Sequence, residues 1–214
     1  MLLEPYNWSV VILGAWNRAI LTPRGTKEIL FPDAELKDIE IAIPVDSAGP
    51  CRVTIHGVTV MAHGGRLAIE TRENRLSALH EARQLGAKAL EELPRTPVTA
   101  AGFNIKVKTD KLKNTYKTLL EAFPTPELES ESVVKERLAK QSLCFREGFL
   151  NVLVREVLNQ EYYIELNFHC DSKDPLALRS WLDIDSDILT KTVADMLDQI
   201  VDATPENIRD ALCH

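Results

Sequence analysis

Tyr162-Tyr163-Ile164-Glu165-Leu166-Asn167-Phe168-His169-Cys170-Asp171 alternates without a break. Successive side chains of an extended chain point to opposite faces, so Tyr162, Ile164, Leu166, Phe168 and Cys170 face one way and Tyr163, Glu165, Asn167, His169 and Asp171 the other. One face is core and the other polar, the pattern of an antiparallel sheet covered on a single side. Ala101, Phe103, Ile105 and Val107 against Gly102, Asn104, Lys106 and Lys108 repeat it, and Ile39, Ile41, Ile43 and Val45 form a third such row.

Turns can be placed by asking which register sets apolar residues opposite each other. A turn at His56-Gly57 puts Ile55 opposite Val58 and Val53 opposite Val60, and a turn at Gly64-Gly65 adds Ala62 with Leu67 and Val60 with Ile69. The same test at Glu147-Gly148 predicts Phe145 opposite Leu150 and Leu143 opposite Val152. The second strand of that hairpin has Val152 and Val154 on one face and Leu153 and Val157 on the other, which predicts burial on both sides.

Helical spacing appears at Leu76, Leu79, Ala82, Gly86, Ala89, Leu90 and Leu93, stopped by Pro94, and again at Leu189, Val193, Met196, Leu197, Ile200 and Val201 after Asp185 and Ser186. A shorter helix is expected near 111–123, and Thr204-Pro205 predicts the start of a last one running to about 212. The fold class is therefore α+β, a predominantly antiparallel sheet of hairpins or meanders with two long amphipathic helices packed on it. Residues 1–214 read as one domain. Pro124-Thr125-Pro126 opens an internal seam at 124–141 that leaves open two similar, closely packed halves.

With 45% hydrophobic and 27% charged residues the chain has ordinary globular composition, and a net charge of −7 opposes a surface built wholly for nucleic acid or anionic lipid. Cys51, Cys144, Cys170 and Cys213 are scattered without a CxxC pair, as in a reducing cytoplasm. The run Val10-Val11-Ile12-Leu13-Gly14-Ala15 is too short to span a bilayer, and Glu4 stands where a signal peptide is basic, so it reads as a buried strand. No membrane attachment is expected.

Phosphate-loop, GxGxxG, GxSxG and HExxH motifs are all missing, and no cofactor or metal is expected. Three groups of residues could still carry chemistry. His169 lies on the polar face with Glu165, Asn167 and Asp171; a neighbouring strand containing Asp183 and Asp185 would let it act as a general base oriented by a carboxylate, as in a metal-assisted or acid–base hydrolase. The competing reading of Asp183-Ile184-Asp185-Ser186-Asp187 is helix capping. Lys106, Lys108 and Lys111, continued by Lys113 and Lys117, form a basic cluster that could meet phosphates, although only Tyr116 interleaves with it. Trp16-Asn17-Arg18 between two apolar runs would make an exposed binding edge.

The phrases GAWNRAILTP at 14–23, TPVTAAGFNI at 96–105 and LNFHCDS at 166–172 resemble segments of uncharacterised bacterial proteins of similar length. The resemblance implies no catalytic residues. Whether the chain is an enzyme stays open, and its residues point first to a non-enzymatic protein-binding or assembly module whose partner is another protein or a second copy.

Overall fold

The computed structural model describes residues 3–44, 49–122, 135–157 and 161–213. Among these, ten strands form one continuous antiparallel sheet with six α-helices. The strands are β1 (Glu4–Pro5), β2 (Ser9–Gly14), β3 (Ile39–Ala42), β4 (Arg52–Ile55), β5 (Val58–His63), β6 (Arg66–Thr71), β7 (Val98–Thr109), β8 (Glu136–Phe145), β9 (Gly148–Val157) and β10 (Glu161–Asp171). Their order is β3-β4-β5-β6-β2-β7-β10-β9-β8, and β1 continues beside β7 beyond the end of β2. The helices are α1 (Pro23–Leu30), α2 (Leu76–Glu92), α3 (Asn114–Glu121), α4 (Pro175–Leu182), α5 (Ser186–Ile200) and α6 (Pro205–Cys213). None of the described helices is long and apolar enough to cross a membrane.

The alternation at 162–171 does what its pattern demands. Ile164, Leu166 and Phe168 are fully buried against the helices, and β10 pairs with β7 on one side and β9 on the other. Val10, Ile12, Phe103 and Ile105 belong to the same core, where Phe103 stacks on Phe168 at 4.7 Å. Gly86 of α2 lets this helix lie close to Val10 and Ile12 of β2, the central strand read from the N-terminal apolar run. Between Leu13 and Gly14 the register with β7 shifts, so that Val98 returns to the core while Thr99 is left exposed.

Both glycine-linked hairpins adopt the expected register, with Val60 opposite Val53 in one and Ile69 in the other. The third hairpin does not. Its turn is Arg146-Glu147, with Arg146 at φ 50°, and Phe145 pairs with Gly148, Leu143 with Leu150 and Gln141 with Val152. Gly148 is needed for another reason: a Cβ there would overlap the carbonyl oxygen of His169. The shift is two residues, so every side chain keeps its face.

Two further expectations change. Leu153 and Val157 of β9 are only half-buried, because the described helices all lie on the other side of the sheet. Ile41 and Ile43 are 50% and 74% exposed, since β3 is an edge strand at the limit of the helix layer; Val45 falls outside the described residues. Most of the expected 124–141 seam also falls outside them, whereas 136–141 belong to β8.

Arg83 of α2 joins the helices to one another. Its Nη1 donates to the carbonyls of Leu182 at 3.0 Å and Ile184 at 2.8 Å, at the joint between α4 and α5, while its guanidinium sits over the Phe103 ring. Burial pushes its pKa down to about 10, and Asp183 and Asp185 oppose that shift, so it stays charged at neutral pH.

Candidate functional site

The face of the sheet that the described helices leave free, the helix-free face, carries the polar half of the strands, and the register lines these residues into rows across it. The most regular row is a ladder of side-chain hydrogen bonds over five strands. Ser142 Oγ donates to Asn151 Oδ1 at 2.6 Å, Asn151 Nδ2 to Asn167 Oδ1 at 3.0 Å, Asn167 Nδ2 to Asn104 Oδ1 at 2.7 Å, and Asn104 Nδ2 to Ser9 Oγ at 3.2 Å. Cross-strand register continues the row through Glu70, Thr59 and Thr54, whose hydroxyl bonds that of Thr59 at 2.8 Å. Each amide in the ladder spends one N–H and one lone pair, and keeps another of each for a molecule lying on the face.

On one side of the ladder the charges are paired. Lys106 meets Glu165 at 3.3 Å, Lys108 meets Glu161 at 2.9 Å, Arg155 meets Glu136 at 3.4 Å, and at the far side Arg52 meets Glu70 at 2.8 Å. The hydrogen bonds from Lys108 and Tyr163 hold Glu161 below the usual carboxylate range, and the same contact raises Lys108. Tyr163 lies under the Arg155 guanidinium and edge-on to Tyr6. On the other side of the ladder the row is apolar or small: Phe149 (45% exposed), half-buried Val11, and buried Gly102, Ala68 and Met61, interrupted by His169.

The expected catalytic group does not assemble. His169 Nε2 contacts Asp171 Oδ1 at 2.9 Å, two residues along its own strand on the helix-free face. Asp183 and Asp185 lie on the helix side, because they cap the end of α4 and the start of α5 instead of lying in a strand. Asp183 accepts from Gln84 of α2 at 2.7 Å, and Asp185 is the N-cap of α5, accepting from the backbone N–H groups of Asp187 and Ile188. The sheet separates them from His169, and the hydrolase arrangement, which requires convergence, is withdrawn.

Trp16 is likewise corrected: it is 2% exposed, and its indole donates to Ile12 O at 3.0 Å. Asn17 is exposed and shapes the following turn by accepting from Ala19 N, and exposed Arg18 reaches Gly49 O at 3.4 Å. The lysine cluster is divided between two places. Lys106 and Lys108 are paired on the open face, and Lys113 meets Asp198 of α5 at 3.7 Å beside Lys111, whose carbonyl accepts from Asp202 N. Carboxylates thus offset Lys106, Lys108 and Lys113, and the cluster does not form one continuous basic surface.

Sequence reasoning had the polar faces of β7 and β10 but missed the ladder. Its signal was present as Asn104, Asn151 and Asn167, each at an outward position of an alternating strand; what was lacking was the strand order that aligns them. No protein-family model matches the chain, and no curated protein matches it in sequence.

Proposed function

We propose that this is a non-enzymatic protein-binding or assembly module that docks a protein on the helix-free face of its sheet. The observation that carries the reading is the composition of that face. Lys106, Lys108 and Arg155 are cancelled there in cross-strand pairs although the chain as a whole carries −7, and Leu13, Leu138 and Phe149 stand 39%, 52% and 45% exposed beside half-buried Val11 and Leu153. A strand patterned for burial on both sides, as β9 is, favours a second layer. Aromatic side chains with adaptable amides and hydroxyls are the chemistry of a protein interface.

The test is co-purification with the tagged chain, comparing wild type with Phe149→Glu. We expect the bound protein to be retained by wild type and released by Phe149→Glu, while Ile41→Glu at the opposite end and face of the sheet leaves it bound. Equal retention by all three would exclude the open face.

A further inference from the structure

Resting on the reading above and deepening it, the geometry points to a second copy of this chain as the occupant, packed sheet on sheet about a two-fold axis along the β2/β7 boundary. That boundary lies next to the middle of the strand order. Rotation about an axis in the interface plane, parallel to the strands, lays β7 on the second copy's β2, β10 on its β6 and β9 on its β5, and keeps every cross-strand row on itself.

The rows are then self-complementary. Asp171, Ala100, Leu13 and Arg66 share a row, so Asp171 of each copy faces Arg66 of the other, twice by symmetry. In the next row Phe149 falls over Met61 and Gly102 over Val11, apolar on apolar, with His169 over Ala68 between them. In the ladder row Asn104 falls over Ser9 and Asn151 over Thr59, so that the spare N–H of each amide meets a hydroxyl oxygen. A face shaped for a foreign partner needs complementarity to that partner alone; this one is complementary to its own image.

The size also suits a dimer. Six central strands ~4.8 Å apart and the three rows ~6.8 Å apart that cross them cover on the order of 600 Å² per copy, about 1,200 Å² in all and the lower end of stable interfaces, at the aligned crossing of about 30° that packed sheets adopt.

The experiment is sedimentation equilibrium of the full chain from about 1 to about 100 μM, repeated for Asp171→Arg, Arg66→Asp and the two together. A dimer is expected, weakened at least about tenfold by either reversal, which sets like charges face to face, and restored to within about threefold by the double reversal. Circular dichroism and thermal unfolding of each variant confirm the fold, and the rescue separates lost charge pairing from lost structure. A chain that stays monomeric at about 100 μM overturns the proposal, as does a dimer indifferent to both reversals. Co-purification that depends on Phe149 in a monomeric chain would leave the protein-binding reading standing and remove self-association.

Discussion

Arg83 is 1% exposed, and the two carbonyls it serves at the α4–α5 joint lose that donor once the side chain is shortened. Its Nη2 also approaches His80 Nδ1 at 3.2 Å, where Ser186 Oγ converges at 3.1 Å. Arg83→Met keeps most of the packing volume but strands both carbonyls, and should cost about 3–5 kcal/mol, read as a fall in the urea midpoint. Backbone crowding makes a second contrast. Gly148→Ala should destabilise by more than about 2 kcal/mol, because the obstacle is the main-chain oxygen of His169, whereas Gly64→Ala, with open space around its Cβ position, should stay within about 0.5 kcal/mol of wild type. Neither role was legible in the sequence. An arginine on an otherwise amphipathic helix reads as solvated, and Gly148 reads as a turn residue when its constraint comes from His169 of another strand.

The elements themselves were largely legible where chemistry is local. Asp185 could be read as a cap because the apolar period of α5 begins just after it, and the carboxylate does accept from two first-turn N–H groups. Asp185→Ala should therefore cost about 1 kcal/mol in thermal unfolding. Register at β8–β9 was less legible, since pairing apolar residues constrains a hairpin only to within a two-residue step. Within that sheet Glu161 is held below the ordinary glutamate value in the folded chain by Lys108 and Tyr163. Its contribution to stability is present above the ordinary glutamate value and is lost as pH falls through the lowered one. Glu161→Gln should flatten the acid limb of stability against pH, measured by urea titration at successive pH values.

For the whole molecule, the position of each thiol relative to the buried clusters under one face of the sheet ranks the thiols. Cys144 and Cys213 are exposed, Cys51 is half-buried, and Cys170 lies in the core, where burial pushes its thiol pKa up. Alkylation followed by mass spectrometry should modify Cys144 and Cys213 first and Cys170 only with global unfolding. Strand order was the part of the fold that sequence could not supply, because β2 enters between β6 and β7 through contacts far apart in the chain. The candidate site depended on that order entirely. Its ladder also has a property of its own: the amides of Asn151, Asn167 and Asn104 all point the same way, and a serine hydroxyl stands at either end. Rotating one amide by 180° would break the bonds on both sides of it, but rotating all three and both hydroxyls restores every bond in the opposite sense. The row thus has two complete hydrogen-bonded senses across five strands, and a ligand that favours one sense at Ser142 would favour the same sense as far as Ser9.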